Sequence, residues 1–153
     1  MEQRCKKIVQ KLKESNKTIA FMESCTGGFL ANEITNISGA SEVLKVSAVT
    51  YSNEYKIKFG VSKEIIDTYT VYSSETAKEM SIKISKFAVS NIGVGITGEL
   101  GNTINSNPKV YYTIYDADKN KYINKTIELE EKQRKKMKEK VAMQVFTDIL
   151  GLF

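Results

Sequence analysis

Ser24, Cys25 and Thr26 stand in a row within FMESCTGGFLANEI (residues 21–34), directly before Gly27 and Gly28. Three nucleophile-capable side chains on one turn call for a base, yet the chain contains no histidine. A Ser-His-Asp arrangement is thereby excluded, and lysine is the usual replacement. A free lysine, with a pKa of about 10.4, is protonated near neutrality. To act as a base it must fall by roughly three units, about 4 kcal/mol acting against the cation, which burial or a neighbouring cation can supply. TYSNEYK (50–56) offers Lys56, five residues past Tyr51. Glu54 must then point elsewhere, because a carboxylate within reach would raise the lysine pKa. GITGELG (95–101) adds Thr97 and Gly98, the hydroxyl being expected to donate to a substrate or to hold Lys56.

The turn at 24–28 has further chemistry of its own. The first N–H groups of a helix lack intrahelical partners and point into whatever precedes them. Paired glycines allow a ligand close to that backbone. Thr26, Gly27 and Gly28 are therefore candidates to bind a phosphate or the oxyanion of an acyl transfer. The turn is not a P-loop, lacking the Gly-Lys-Ser/Thr ending. Ser24 or Thr26 could also serve simply as a helix cap. Cys25 is a rival nucleophile, since a helix N-terminus lowers a thiol pKa. Its side chain should point opposite to that of Ser24 if residue 24 still belongs to a strand.

Those three stretches need a scaffold, and the pattern around them alternates helix and strand. Cys5, Ile8 and Leu12 share helical spacing, predicting a helix over 2–14. KTIAFME (17–23) reads as a strand, 27–37 as a helix and 42–52 as a second strand. One or two short helices are expected over 53–69, broken near Gly60. A longer helix capped by Ser73 or Ser74 should run to about Ser90, with Ala77, Met80, Ile84 and Phe87 on one face. NIGVGITG (91–98) reads as a buried strand, and KVYYTIYD with KYINKTIEL as a hairpin joined by DADKNK. A last helix begins near Glu130, with the stripe Met137, Val141, Val145 and Ile149. The order predicts a three-layer α/β/α sandwich with a mixed, mostly parallel sheet. In such sheets ligands bind beyond the carboxyl ends of strands, where all three stretches fall.

At 153 residues the chain is expected to form one domain, 1–153, long enough to bury a core. No apolar run is long enough to span a bilayer, and MEQRCKKIVQKLKE has no secretory h-region, so a cytoplasmic setting is expected. Two distant cysteines and no histidine leave no zinc pattern, and neither a metal nor a cofactor is expected. The net charge of +5 is concentrated in KQRKKMKEK (132–140). Interspersed glutamates, including Glu131 four residues before Lys135, make this run a solvated helix face rather than a nucleic-acid surface. No stacking aromatics accompany it, as single-strand binding would require.

In order and spacing, ESCTGG (23–28), VTYSNEYK (49–56), VYSSETAKEM (71–80) and ITGELG (96–101) resemble the C-terminal domain family of the competence/damage-inducible protein CinA, which includes stand-alone nicotinamide-nucleotide amidases. The resemblance implies hydrolysis of the carboxamide of nicotinamide mononucleotide to nicotinate mononucleotide and ammonia, by a metal-free serine–lysine mechanism. Carried over by motif, the catalytic set is Ser24, Lys56, Tyr51 and Thr97, with Tyr51 relaying a proton or orienting the lysine. Thr26, Gly27, Gly28 and Gly98 fall at substrate-binding positions. The resemblance also suggests a homodimer and a small-molecule nucleotide as the binding partner. The chain departs from the family pattern where G-I-A-G-P would place a proline, here Asn102, and where a G-D-R arginine would fall, here near Glu131, Lys132 and Arg134. These departures support a second reading, a domain that binds a nucleotide or a protein without turnover.

Overall fold

The computed structural model describes residues 1–101, 108–130 and 133–153. Its elements in chain order are α1 (Glu2–Glu14), β1 (Ile19–Glu23), α2 (Phe29–Thr35), a 3₁₀ turn (Ala40–Glu42), β2 (Leu44–Val49), α3 (Asn53–Lys58), α4 (Lys63–Tyr69), α5 (Ser74–Ala88), β3 (Ile92–Gly98), β4 (Lys109–Asp116), β5 (Lys121–Glu128) and α6 (Arg134–Leu150). The five strands form one sheet in the order β2-β1-β3-β4-β5. β1 is parallel to both β2 and β3, while β3-β4 and β4-β5 are antiparallel. The sheet is thus mixed, with its parallel core at β2-β1-β3.

Strand alternation sends successive side chains to opposite faces, and the sandwich follows from it. Ile19 and Phe21 of β1 join Ile8 and Leu12 of α1, Leu30 of α2 and Val141 and Val145 of α6 in one apolar cluster. Ala20 and Met22 face the other way, into a smaller cluster with Ile66 of α4 and Met80 and Ile84 of α5. The connection from β1 to β2 therefore runs over one face and that from β2 to β3 over the other. Such a reversal of direction opens a crevice at the carboxyl end of the strand between them. Register completes it, because Glu23 pairs with both Val49 and Ile96, so the three parallel strands finish side by side.

β3 can be this close to α5 because it has no side chain where the helix crosses. A Cβ on Gly93 would collide with the Ser81 carbonyl, and one on Gly95 would sit 2.5 Å from the Ser81 nitrogen and 2.7 Å from Met80 Cβ. Three boundaries differ from the periodicity. Gly27 and Gly28 are left-handed (φ 63° and 89°), so α2 starts at Phe29. The 3₁₀ turn takes residues 40–42 from the front of β2. Helix α6 begins at Arg134. Phe87, expected on the buried face of α5, is instead 62% exposed, with the Phe59 ring 5.2 Å away between centroids. Among the described residues, no helix is long and apolar enough to cross a membrane.

Candidate active site

Residues from the three parallel strand ends line one cavity of about 290 Å³. Ser24 follows β1, Tyr51 and Lys56 follow β2, and Thr97 and Gly98 end β3; all five are on its wall, with Arg134 at the start of α6. Thr26, Gly27 and Gly28 are not among the lining residues.

Lys56 owes its position to a short helix. Ser52 caps α3, its Oγ accepting from Tyr55 N at 3.3 Å. The cap turns the chain so that the fourth residue of α3 points back under the strand ends. The Lys56 side chain is only 1% exposed. Its Nζ lies 3.1 Å from Ser24 Oγ and donates to the Thr50 carbonyl at 2.8 Å. Burial holds the amine below the ordinary lysine range, with a smaller opposing effect from Cys25. Glu54 does not offset this, since its carboxylate takes the Lys58 ammonium at 2.6 Å. A deprotonated Lys56 can accept the Ser24 hydroxyl proton across the same 3.1 Å contact.

Cys25 is also among the residues lining the cavity, yet it belongs to the apolar cluster beneath α1, α2 and α6, whereas Ser24 Oγ meets Lys56. β1 ends at Glu23, so strand alternation has stopped before either residue. Burial, with the charge of Glu23, pushes the Cys25 thiol up to about 12, against the weaker pull of Lys138 and Lys56. The helix-terminus activation expected for a thiolate is absent for a specific reason. The buried Glu23 carboxylate occupies that position, accepting from Gly28 N (3.1 Å), Leu30 N (3.2 Å) and Ala31 N (3.0 Å), with Ser47 Oγ at 3.4 Å.

The same carboxylate corrects the reading of the glycines. Gly28 N–H is taken by Glu23 and Gly27 N–H by the Ser24 carbonyl at 3.0 Å, so neither faces a ligand. Neither Thr26 N–H nor Cys25 N–H has a hydrogen-bond acceptor among the described residues. Those two amides follow Ser24 directly. The Thr26 and Thr50 hydroxyls are buried without a partner among the described residues.

Two other roles differ from expectation. Tyr51 is 62% exposed and its hydroxyl accepts from Arg134 Nη2 at 3.2 Å, with no hydrogen bond to Ser24 or Lys56 among the described residues. Thr97 donates to the Val71 carbonyl at 2.6 Å, which ties the segment before α5 to the end of β3. Lys56 is held by Thr50 instead.

Sequence reasoning missed Glu23 and named Arg134 only as lying near where a G-D-R arginine would fall. Glu23 looks like one more residue of a strand; the clue was a carboxylate five residues before Gly28, within reach of orphan helix amides. Arg134 was hidden in a basic run. Its Nη1 donates to the Leu100 carbonyl at 3.0 Å, joining α6 to the loop after β3. The expected Glu131–Lys135 pair, the Asn102 position and Lys132 lie outside the described residues.

The fold and site define an α/β sandwich with a buried lysine beside a serine at the switch point of its parallel core. The chain belongs to the CinA C-terminal domain family, whose model matches residues 1–153. A CinA-like protein of Petrotoga mobilis is 43% identical over 105 residues, covering 68% of this chain and 26% of that protein. A competence-damage inducible protein of Thermoanaerobacter pseudethanolicus is 40% identical over 129 residues, 81% of this chain and 31% of the relative. The chain thus spans about a third or less of these curated relatives. Competence/damage inducible protein CihA from Agrobacterium tumefaciens superposes with a TM-score of 0.92 at 24% identity, covering 99% of this chain and 94% of that one. The corresponding protein of Enterobacter asburiae gives 0.92 at 23%, covering 99% and 96%. At those identities the likeness shows the fold.

Proposed function

We propose that this domain is a carboxamide hydrolase acting on nicotinamide mononucleotide, with Ser24 as nucleophile and Lys56 as its base. The observation that carries the reading is the 3.1 Å contact between Ser24 Oγ and a lysine amine whose pKa burial lowers from the ordinary lysine range. Ser24 Oγ bonds to the carboxamide carbon as its proton passes to Lys56 Nζ. The Cys25 and Thr26 amides donate to the oxyanion, each such donor contributing about 3 kcal/mol to the transition state. Collapse breaks the C–N bond, and Lys56 returns the proton to the leaving nitrogen, releasing ammonia. Water then gives a proton to Lys56 and adds to the ester, and Ser24 leaves with that proton as nicotinate mononucleotide forms. Arg134, exposed at the rim, is the cation for the nucleotide's phosphate, with Tyr51 and Leu100 holding its guanidinium in place.

Ammonia release from nicotinamide mononucleotide tests this. The wild type should turn over, while Ser24→Ala and Lys56→Ala should each lose at least about a thousandfold in kcat, as expected when a nucleophile or its base is removed. Near-full rate in either variant would refute the mechanism.

A further inference from the structure

Thr70, between α4 and α5, has φ 68° and ψ 172°, a backbone region that suits glycine and strains any other residue. Everything around it holds that conformation. The Thr70 carbonyl accepts from Ser73 Oγ at 3.0 Å and Thr76 Oγ1 at 2.7 Å. Its own hydroxyl oxygen accepts from Tyr72 N at 3.2 Å. One residue on, the Val71 carbonyl is tied to Thr97 at the floor of the cavity. The segment so pinned presents Tyr72 on the cavity wall, 54% exposed. Among the described residues no ring or cation packs on Tyr72, in contrast to Tyr55, Tyr115 and Tyr122.

A strained, fully tethered backbone holding a bare aromatic ring at the mouth of a site is a binding surface rather than a packing element. We propose that Tyr72 is a specificity-determining residue: its ring stacks on a flat, electron-poor heteroaromatic ring that carries the scissile carboxamide, and Thr70 is the positioning residue that fixes it there. The inference rests on the serine–lysine amidase reading and deepens it by naming a residue that selects the substrate's ring. A pyridinium fits because it offers both a planar face and a positive charge to the tyrosine quadrupole. A saturated ring of the same size offers no planar face to stack on.

The test uses Ser24→Ala, which should bind without turnover, with nicotinamide mononucleotide and its ring-saturated piperidine-3-carboxamide counterpart as probes in calorimetry. Stacking predicts roughly three- to tenfold tighter binding of the aromatic probe. Adding Tyr72→Leu should abolish that preference, and adding Tyr72→Phe should keep it. In the protein with Ser24 intact, Tyr72→Leu should raise KM for nicotinamide mononucleotide by the same factor and change kcat less. An undiminished preference with Tyr72→Leu would overturn the stacking role while leaving the amidase reading intact. If the wild type releases no ammonia and Ser24→Ala binds neither probe, the amidase reading fails, and this inference fails with it.

Discussion

Replacing Lys56 by methionine keeps an unbranched chain of similar length and removes the titrating nitrogen, so the charge on that nitrogen can be read out as stability. Burial holds the Lys56 pKa down in the folded protein, whereas the unfolded chain titrates near 10.4. Between those two values the unfolded state binds one more proton than the folded state. Wild-type stability must therefore rise with pH through that window, by up to about 1.4 kcal/mol per pH unit. Below the folded value both states are protonated, and above about 10.4 neither is, so the dependence is flat on either side. The variant lacks this contribution. It also leaves the Thr50 carbonyl without the donor now at 2.8 Å, a cost of about 1–3 kcal/mol. That cost shifts the difference between the two proteins without giving it a pH slope. The other titrating groups are common to both proteins, and Cys25, the one coupled to Lys56, stays protonated in the folded state across this range because its thiol is pushed up to about 12. Urea unfolding of both proteins at pH 7, 8, 9 and 10, followed by circular dichroism, measures the difference directly. The expected result is wild type gaining on Lys56→Met as pH rises. A flat difference from pH 7 to 10 would mean that Lys56 titrates like a surface lysine, and the base in the mechanism would be lost.

Three further outcomes follow from the same geometry. Because only neutral Lys56 can accept the Ser24 proton, kcat/KM should rise with pH along an acid limb whose midpoint lies below the ordinary lysine range; a limb near 10.4 would contradict the burial effect. Glu23→Gln keeps the shape but turns an amide toward three backbone donors, leaving at least one unsatisfied at a cost of about 1–3 kcal/mol. Its unfolding midpoint in urea should drop, and Cys25 should be alkylated faster at fixed pH. Gly95→Ala places a methyl 2.5 Å from the Ser81 nitrogen and 2.7 Å from Met80 Cβ, so it should destabilise by about 3 kcal/mol through overpacking, read by the same unfolding assay.

Much of the architecture was legible because it is written in local periodicity. The strand pattern of 91–98 and the four-residue stripe of α6 both survive in the structure. Sheet order is a different kind of fact. Nothing in the spacing of Ile19–Glu23 says that β1 lies between β2 and β3, yet that placement creates the crevice. The approach of Lys56 to Ser24 was legible only in outline, through the lack of histidine and the strand-end rule. Its geometry depends on the Ser52 cap turning α3 inward. Thr70 gave no signal at all, since threonine is an unexpected occupant of a glycine-type backbone and its tethers come from Ser73 and Thr76 on the following segment.

Glu23 is the residue that most changes the meaning of the motif around it. From sequence, the amides after ESCTGG are an unoccupied anion site. In the fold the chain's own carboxylate fills it, and a second anion there would meet a buried negative charge at close range. Under the proposed reading this separates two tasks that the sequence assigned to one turn. The amides of Cys25 and Thr26 remain for the transient oxyanion, and the permanent charge of a phosphate must be met elsewhere. Helix α6 supplies the means, with Arg134 on the cavity wall. The basic run that looked like a wet helix face thus has one member on the cavity wall, and under the proposed reading the substrate's charge would fall to it rather than to the glycines.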